Sequence, residues 1–335
     1  MGVTIFDIAK KANVSHMTVS MVLNHKGDKR VSETTRRRVL DIANEIGYVP
    51  NRAAQALGLR RTNEVILWIR RFSSSDCARI AACFESLLYK DSVEIIVRGV
   101  GADRSRLAEW PADAIIAVDN AFNRPVAPAE LRHKQTPFVS VGVYYDELLD
   151  HVAIDLSEAA EEAVRHLITQ GCRRIAHLIN IRHSPDNDPD NDVRLSAYLT
   201  VMREAGLKPE IIDFPDEMYY DMREVVAPRL SEYIARNGCP DGLFCRNDEL
   251  AIGAYSHLRS IGMQIPDDVC IVGCDGIVDT LYLDAPITTI VKPVDEMCRL
   301  AWQFVRKRLD DRELPLQHAR LSAKLDIRRS SLRHP

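Results

Sequence analysis

Two helical patterns lie almost end to end near the start of the chain, TIFDIAKKA and SHMTVSMVLN, with only Asn13 and Val14 between them. So tight a connection needs a small residue where the helices touch and a turn residue that tolerates positive φ. Ala9 meets the first need and Asn13 the second. Thr4 and Ser15 stand where N-caps belong. Ile5, Ile8, Ala9 and Ala12 form the apolar stripe of the first helix; Val19, Val22 and Leu23 form that of the second. A third helix is predicted in VSETTRRRVLDIANEIGY, capped by Ser32, buried through Val39, Ile42, Ala43 and Ile46, and stopped by Gly47. Ala9, Asn13 and Val19 thus have the spacing of a helix-turn-helix, whose second helix enters the major groove of DNA.

The other face of the second helix carries His16, Met17, Thr18, Ser20 and Met21, too apolar for ordinary solvation and too polar for a core. Ser15, Thr18 and Ser20 can donate to phosphates or base edges, and the first turn offers free backbone N–H groups. His16, Met17 and Met21 stand where base edges would lie, methionine suiting a thymine methyl or a position read by shape. Charge points the same way. Residues 1–62 hold 11 Lys and Arg against 5 Asp and Glu, a net +6, so the rest of a chain of net charge −4 carries −10. A basic head on an acidic body fits a nucleic-acid reader joined to a sensor better than it fits a helical hairpin with no DNA role.

YVPNRAAQALGLRRT follows. Pro50 ends the preceding element, Asn51 is an N-cap, and RAAQALG is too short to hold as an isolated helix. It forms if a second copy packs on its Ala53 and Ala54 face, which leaves Leu57 placed as a minor-groove wedge. The alternative is a plain linker.

The runs T-x-x-D-I-A-x-x-A-x-V-S-x-x-T-V-S-x-V-L-N, V-S-x-x-T-x-x-R-V and G-Y-x-P-N-x-x-A-x-x-L together resemble the LacI/GalR family of bacterial transcription regulators over residues 3–57. The resemblance implies a homodimer on a palindromic operator, with paired hinge helices whose leucine opens a central base step. By position, Thr4, Ser15, Thr18, Asn24, Ser32 and Thr35 are the implied phosphate and register contacts. His16, Met17, Ser20 and Met21 are the implied readers, Asn51 opens the hinge helix, and Leu57 is the wedge. Met21 stands where members commonly carry Arg, which leaves the operator's outer bases open.

From Glu64 on, short apolar runs alternate with helical stretches: VILWI, VEIIV, AIIAVD and FVSVG in a first series, then RIAHLI, IIDF, GLFCR and DVCIVGCD interleaved with helices, one of them MREVVAPRLSEYIARNG. Such alternation builds parallel sheets with helices on both faces. Two series predict two doubly wound α/β lobes, with ligand bound beyond the C-terminal ends of the strands. This region resembles the periplasmic-binding-protein-like sensor of the same family. The expected division is a helix-turn-helix domain at 1–47, a hinge at 48–62, and a body at 63–335. Lobe 1 of the body takes about 63–156 and 291–317, lobe 2 about 157–290 and 318–330. Few residues, SRLAEW at their centre, join VEIIVRG to DAIIAVD, so an outer helix of the first lobe must be short.

Strand ends supply the effector candidates. Arg194, Asn247 and Asp275 match family positions that hydrogen-bond a sugar or similar molecule, and an Arg, an amide and a carboxylate can converge on vicinal hydroxyls. Asp248 reads as an N-cap. Arg70, Arg71, Arg98, Arg246 and Lys292 add positive charge; by the resemblance, Arg71 matches a ligand-facing position of the family and Lys292 stands where the family often has Gln. They suit an anionic effector, a sugar acid or phosphorylated metabolite, unless local acids such as Asp216 and Glu217 pair with them.

HSPDNDPDNDV spaces Asp186, Asp188, Asp190 and Asp192 like a calcium loop, but Asn191 replaces the needed Gly and Ala197 the final Glu. A solvated loop with Asp192 near a helix start fits better. GVG at 99–101 lacks the third Gly of a dinucleotide loop, and no GxSxG, HExxH or phosphate-loop run occurs. No enzyme, metal or cofactor is implied. The 8 cysteines show no CxxC pairing and read as free thiols. Asp7, Lys10 and Lys11 break any signal-peptide core, and no apolar run reaches membrane-spanning length, so a cytoplasmic location is expected. The sequence reads as a dimeric, effector-controlled DNA-binding regulator, most simply a repressor. The alternatives are a body that answers to a protein partner or to nothing, and a solute-binding protein.

Overall fold

The computed structural model describes residues 3–23, 30–49, 61–69, 71–99, 111–119, 136–143, 148–179, 192–214 and 221–333. The chain forms two compact units, residues 1–62 and 63–335.

In the first unit, helices α1 (Ile5–Ala12), α2 (His16–Leu23) and α3 (Glu33–Glu45) enclose Ile8, Ala9, Ala12, Val19, Val22, Val39 and Ala43. Ile42 and Ile46, expected in the core, are half-buried at its edge. Gly47 takes φ 63° just past the end of α3, a conformation in which glycine carries no Cβ penalty.

The second unit holds two six-stranded sheets, ordered β11-β5-β4-β3-β1-β2 and β12-β10-β9-β8-β6-β7. The first contains β1 (Glu64–Ile69), β2 (Glu94–Gly99), β3 (Ala114–Val118), β4 (Phe138–Gly142), β5 (Asp150–Asp155) and β11 (His318–Ser322). The second contains β6 (Ile175–Ile179), β7 (Glu210–Asp213), β8 (Gly242–Cys245), β9 (Cys270–Asp275), β10 (Thr288–Val291) and β12 (Lys324–Asp326). Helices α4 (Ser75–Lys90), α5 (Ser157–Thr169), α6 (Val193–Glu204), α7 (Val226–Asn237), α8 (Asp248–Ser260) and α9 (Val294–Asp310) cover them. Because both sheet faces are covered, β3 is apolar throughout and β1 from Val65 onward. Val65, Leu67 and Ile69 of β1 enter one core while Ile66 and Trp68 enter another behind the sheet. β2, at the edge, is only half-buried.

Each sheet reverses its winding direction once, between β1 and β3 in the first and between β6 and β8 in the second. Ligands of such folds bind at these switch points. Three details depart from expectation. The last crossing between lobes falls at Ala323, not near 317, because β11 pairs in parallel with β5 of the first sheet. β12 then joins β10 antiparallel, so the second sheet is not wholly parallel. The helix expected from Met222 starts at Val226, which places Pro228 in the first turn, where its missing N–H is harmless. Residues 50–60 of the hinge, Asn24, the 186–190 loop and the short link around SRLAEW lie outside the described residues.

Candidate functional site

The first unit carries two copies of one local device, at the starts of α2 and α3. Asn13 takes φ 50° and ψ 49°, and Val14 N–H reaches Ala9 O at 3.1 Å, which folds α2 back over α1. Val19 and Val22 drop into the core, leaving Ser15, His16 and Met17 exposed and Thr18, Ser20 and Met21 half-buried. Ser15 Oγ accepts the Thr18 N–H at 3.1 Å, and the two hydroxyls lie 2.9 Å apart. At the start of α3, Ser32 Oγ accepts the Thr35 N–H at 3.2 Å, again with hydroxyls 2.9 Å apart. Each cap fixes a hydroxyl pair beside the first-turn N–H groups of a helix, a donor array suited to a phosphate.

Thr4 is different. Its N–H and hydroxyl both donate to Asp7 Oδ2, at 2.9 and 2.8 Å, so that proton is already committed inside the cap. These bonds hold the Asp7 carboxyl below its usual pKa. Phe6 carries no motif signature, yet it is 63% exposed with its ring 5.3 Å from that of His16. The signal was available: Phe6 falls on the polar side of α1, where no core exists to take it. Asn24, Asn51 and Leu57 lie outside the described residues.

In the second unit Arg71, Arg194, Asn247, Asp275 and Lys292 line a single cavity at the switch points, which encloses about 630 Å³ with its open mouth included. Arg98 lies apart, on exposed edge-strand backbone. Asp76, Asp119 and Arg246 complete the charged lining. The cations there are not free. Asp192 caps α6 and takes Arg194 Nε and Nη2 at 2.9 and 3.0 Å and Arg246 Nε at 2.8 Å. Burial opposes the Asp192 charge, but the two guanidiniums outweigh it and hold the carboxyl well below the ordinary range. Glu249, on the first turn of α8, pairs with Arg71 at 3.3 Å and accepts the Ser75 N–H at 2.9 Å. Lys292, 4% exposed, lies 2.6 Å from Asp76 and 3.0 Å from Asp275. Burial alone would lower its pKa; Asp275 and Asp76 reverse that and hold it well above the usual lysine value.

Arg71 and Lys292 are therefore spent as countercharges for an anionic effector. Among the described residues their partners are Glu249, Asp76 and Asp275; Asp216 and Glu217 lie outside the described residues. Two buried polar atoms on this wall find no partner among the described residues, the donor Arg71 Nε and the acceptor Asp76 Oδ1. A ligand that satisfies both recovers the cost of leaving them unmet.

Asn247, not Asp248, caps α8, its Oδ1 accepting the Leu250 N–H at 2.9 Å. The amide nitrogen is the half of that side chain the cap does not use. Asp248 is wholly buried and ties two loop ends together, accepting from Thr289 Oγ1 at 2.6 Å and the Ile277 N–H at 2.9 Å. The contact demands glycine opposite: a Cβ at Gly273 would stand 2.1 Å from Asp248 Oδ1. Burial raises the Asp248 carboxyl from 3.8 to about 6 despite those hydrogen bonds. Over that range the folded chain keeps a proton the unfolded chain has released, so stability falls as the pH rises from 4 to 6. The step is worth about 3 kcal/mol. Asp248→Asn keeps an acceptor and has no charge to bury, so urea melts of this variant at pH 4 and 7.5 should lack that step. An unchanged pH slope would show that Asp248 is not its source.

Among the described residues, no helix is long and apolar enough to cross a membrane. The family description "Bacterial regulatory proteins, lacI family" matches residues 4–51, and "Periplasmic binding protein-like domain" matches residues 164–331. The probable HTH-type transcriptional repressor ExuR of Bacillus subtilis (strain 168) is 27% identical over 319 residues, 90% of each chain. The ribose operon repressor of Haemophilus influenzae is 28% identical over 319 residues, 91% of this chain and 92% of that one. The solved structure of a LacI-family transcriptional regulator from Silicibacter pomeroyi superposes with a TM-score of 0.81 at 24% identity, covering 99% of this chain and all of the other.

Proposed function

The chain belongs to the lacI family of bacterial regulatory proteins, and from that premise we propose that it is a repressor released or retained on its operator by a neutral, polyhydroxylated effector. DNA binding by the helix-turn-helix is the activity of the family, and its relatives are repressors, not enzymes. The protein works as a homodimer in the cytoplasm, reading a palindromic site with His16, Met17, Ser20 and Met21. Ser15, Thr18, Ser32 and Thr35 hold it to phosphates. The coupling runs both ways: an effector that weakens operator binding is itself bound more weakly by the operator complex.

One observation carries the effector class: the four cations around the cavity are matched by carboxylates of the same chain. Among the described residues, an anion entering there meets cations already paired and five nearby acids, Asp76, Asp119, Asp192, Glu249 and Asp275. A hydroxyl, both donor and acceptor, fits the two unmet atoms Arg71 Nε and Asp76 Oδ1. The ribose operon repressor among the relatives supports a sugar as the class. Calorimetry of the full-length protein against D-ribose, D-glucose and cellobiose, each beside a matched acid such as D-ribonate or D-glucuronate, tests it. Neutral sugars should bind, and their acids at least about tenfold more weakly. Tighter binding of an acid, or binding of none of the sugars, overturns the assignment.

A further inference from the structure

We propose that Lys292 is a tethered internal ligand: its ammonium, held between Asp76 of the first lobe and Asp275 of the second, closes the cleft before any effector arrives. Asp76 lies in the first turn of α4, which follows β1 of the first sheet. Asp275 ends β9 of the second sheet. Lys292 belongs to neither wall. It follows β10 and precedes α9, on the segment where the chain crosses from the second lobe to the first. Its side chain therefore enters the cleft from the hinge and reaches a carboxylate on each side, at 2.6 and 3.0 Å.

Moving the lobes apart would leave one carboxylate without its ammonium, and the ammonium with half its neutralising charge. Uncompensated charge in so buried a place is costly, so the bridge favours closure. Three more bonds cross the same gap. Glu249 of α8 accepts from Ser75 N–H at 2.9 Å and Arg71 at 3.3 Å, and Arg79 of α4 donates to Gly276 O at 3.0 Å. A ligand that joins two lobes does the work these groups already do. The effector adds hydrogen bonds at Arg71 Nε and Asp76 Oδ1 without having to draw the lobes together. Closure by Lys292 holds whatever the effector's class, so failure of the sugar assignment leaves it untouched.

Hydrogen exchange and small-angle scattering on the full-length, effector-free protein test this. In the wild type, amides of 71–79 and 246–250 should be protected. Lys292→Met should speed their exchange by about tenfold or more and raise the radius of gyration, while the strands of both sheets stay protected. That substitution leaves two carboxylates facing each other and could unfold the protein. The triple variant Asp76→Asn, Asp275→Asn, Lys292→Met removes all three charges and should fold, yet still open. Wild-type exchange at 71–79 and 246–250 in either folded variant overturns the proposal. So does unfolding of both, which would make Lys292 a packing residue of the core.

Discussion

Replacing Asp192 by alanine should lower the stability of residues 63–335 by about 3–5 kcal/mol and abolish the effector response. The carboxylate is the common partner of two guanidiniums whose side chains are only 7% and 13% exposed, Arg194 and Arg246. It also caps α6, accepting the Arg194 N–H at 3.0 Å. Without it both cations remain buried, and Arg194 keeps the Arg246 carbonyl at 3.0 Å, a neutral partner for a full charge. The cost therefore exceeds the modest net worth of an exposed ion pair, because two buried guanidiniums lose the carboxylate they share. The two guanidiniums would also swing toward any other acceptor, disturbing Arg194 in the cavity wall. Asp192→Asn, which keeps the cap and one acceptor, should cost less. The pH dependence carries a sign that checks the cause. The folded carboxyl titrates below its unfolded value of 3.8, so its contribution is complete at neutral pH and is lost as the pH falls through acid. The gap between wild type and Asp192→Ala in urea melts should be constant from pH 5 upward and close below 4. A loss under 1 kcal/mol at pH 7 would show that the guanidiniums are satisfied by solvent.

What could be read from the sequence depended on how far a residue's partner lay along the chain. The helix-turn-helix was legible because every determinant is local: Asn13 between two helices, and Ser15 with Thr18 and Ser32 with Thr35 three residues apart. Strands such as AIIAV announced themselves because a covered parallel sheet is apolar on both faces. β5 and β11 did not. They begin with polar residues whose burial depends on distant partners. Asp150 is satisfied by Arg308, at 2.7 Å from Nη2, and by the Gln317 N–H at 2.8 Å. In the cavity, Arg194, Asn247 and Asp275 could be named from strand ends, whereas Glu249 and Asp76, which pair with Arg71 and Lys292, could not. Glu249 and Asp76 stand far along the chain from the cations they meet. An excess of cations read from strand ends thus became a balanced set once the lobes were folded. Asp248 taught the same lesson at a distance of one residue: the cap fell to Asn247, and its neighbour turned inward to Thr289.

The same dependence on scale makes Ile8 the most exposed point of the DNA-binding unit to mutation. Ile8 is wholly buried among Ala9, Ala12, Val19, Val22, Val39 and Ala43, a core with few large side chains. Isoleucine to alanine in such a place costs about 2–5 kcal/mol. A single core of this size rarely supplies more than about 3–5 kcal/mol in all. Ile8→Ala should therefore leave residues 1–62 largely unfolded, where the same change within residues 63–335 would be absorbed by far larger cores. Binding to an operator selected from random duplexes by the wild-type protein should fall by about 100-fold or more, toward the nonspecific level. The melting transition of residues 63–335 and their affinity for effector should not move. Phe6→Ala is the companion measurement, since Phe6 is 63% exposed and supports no core. It should leave the unfolding of the head unchanged, so any loss of operator affinity is assigned to the surface shared with His16. Wild-type operator affinity in Ile8→Ala would remove residues 1–62 as the DNA reader. A shift confined to the transition of residues 63–335 would mean that the two units do not fold independently.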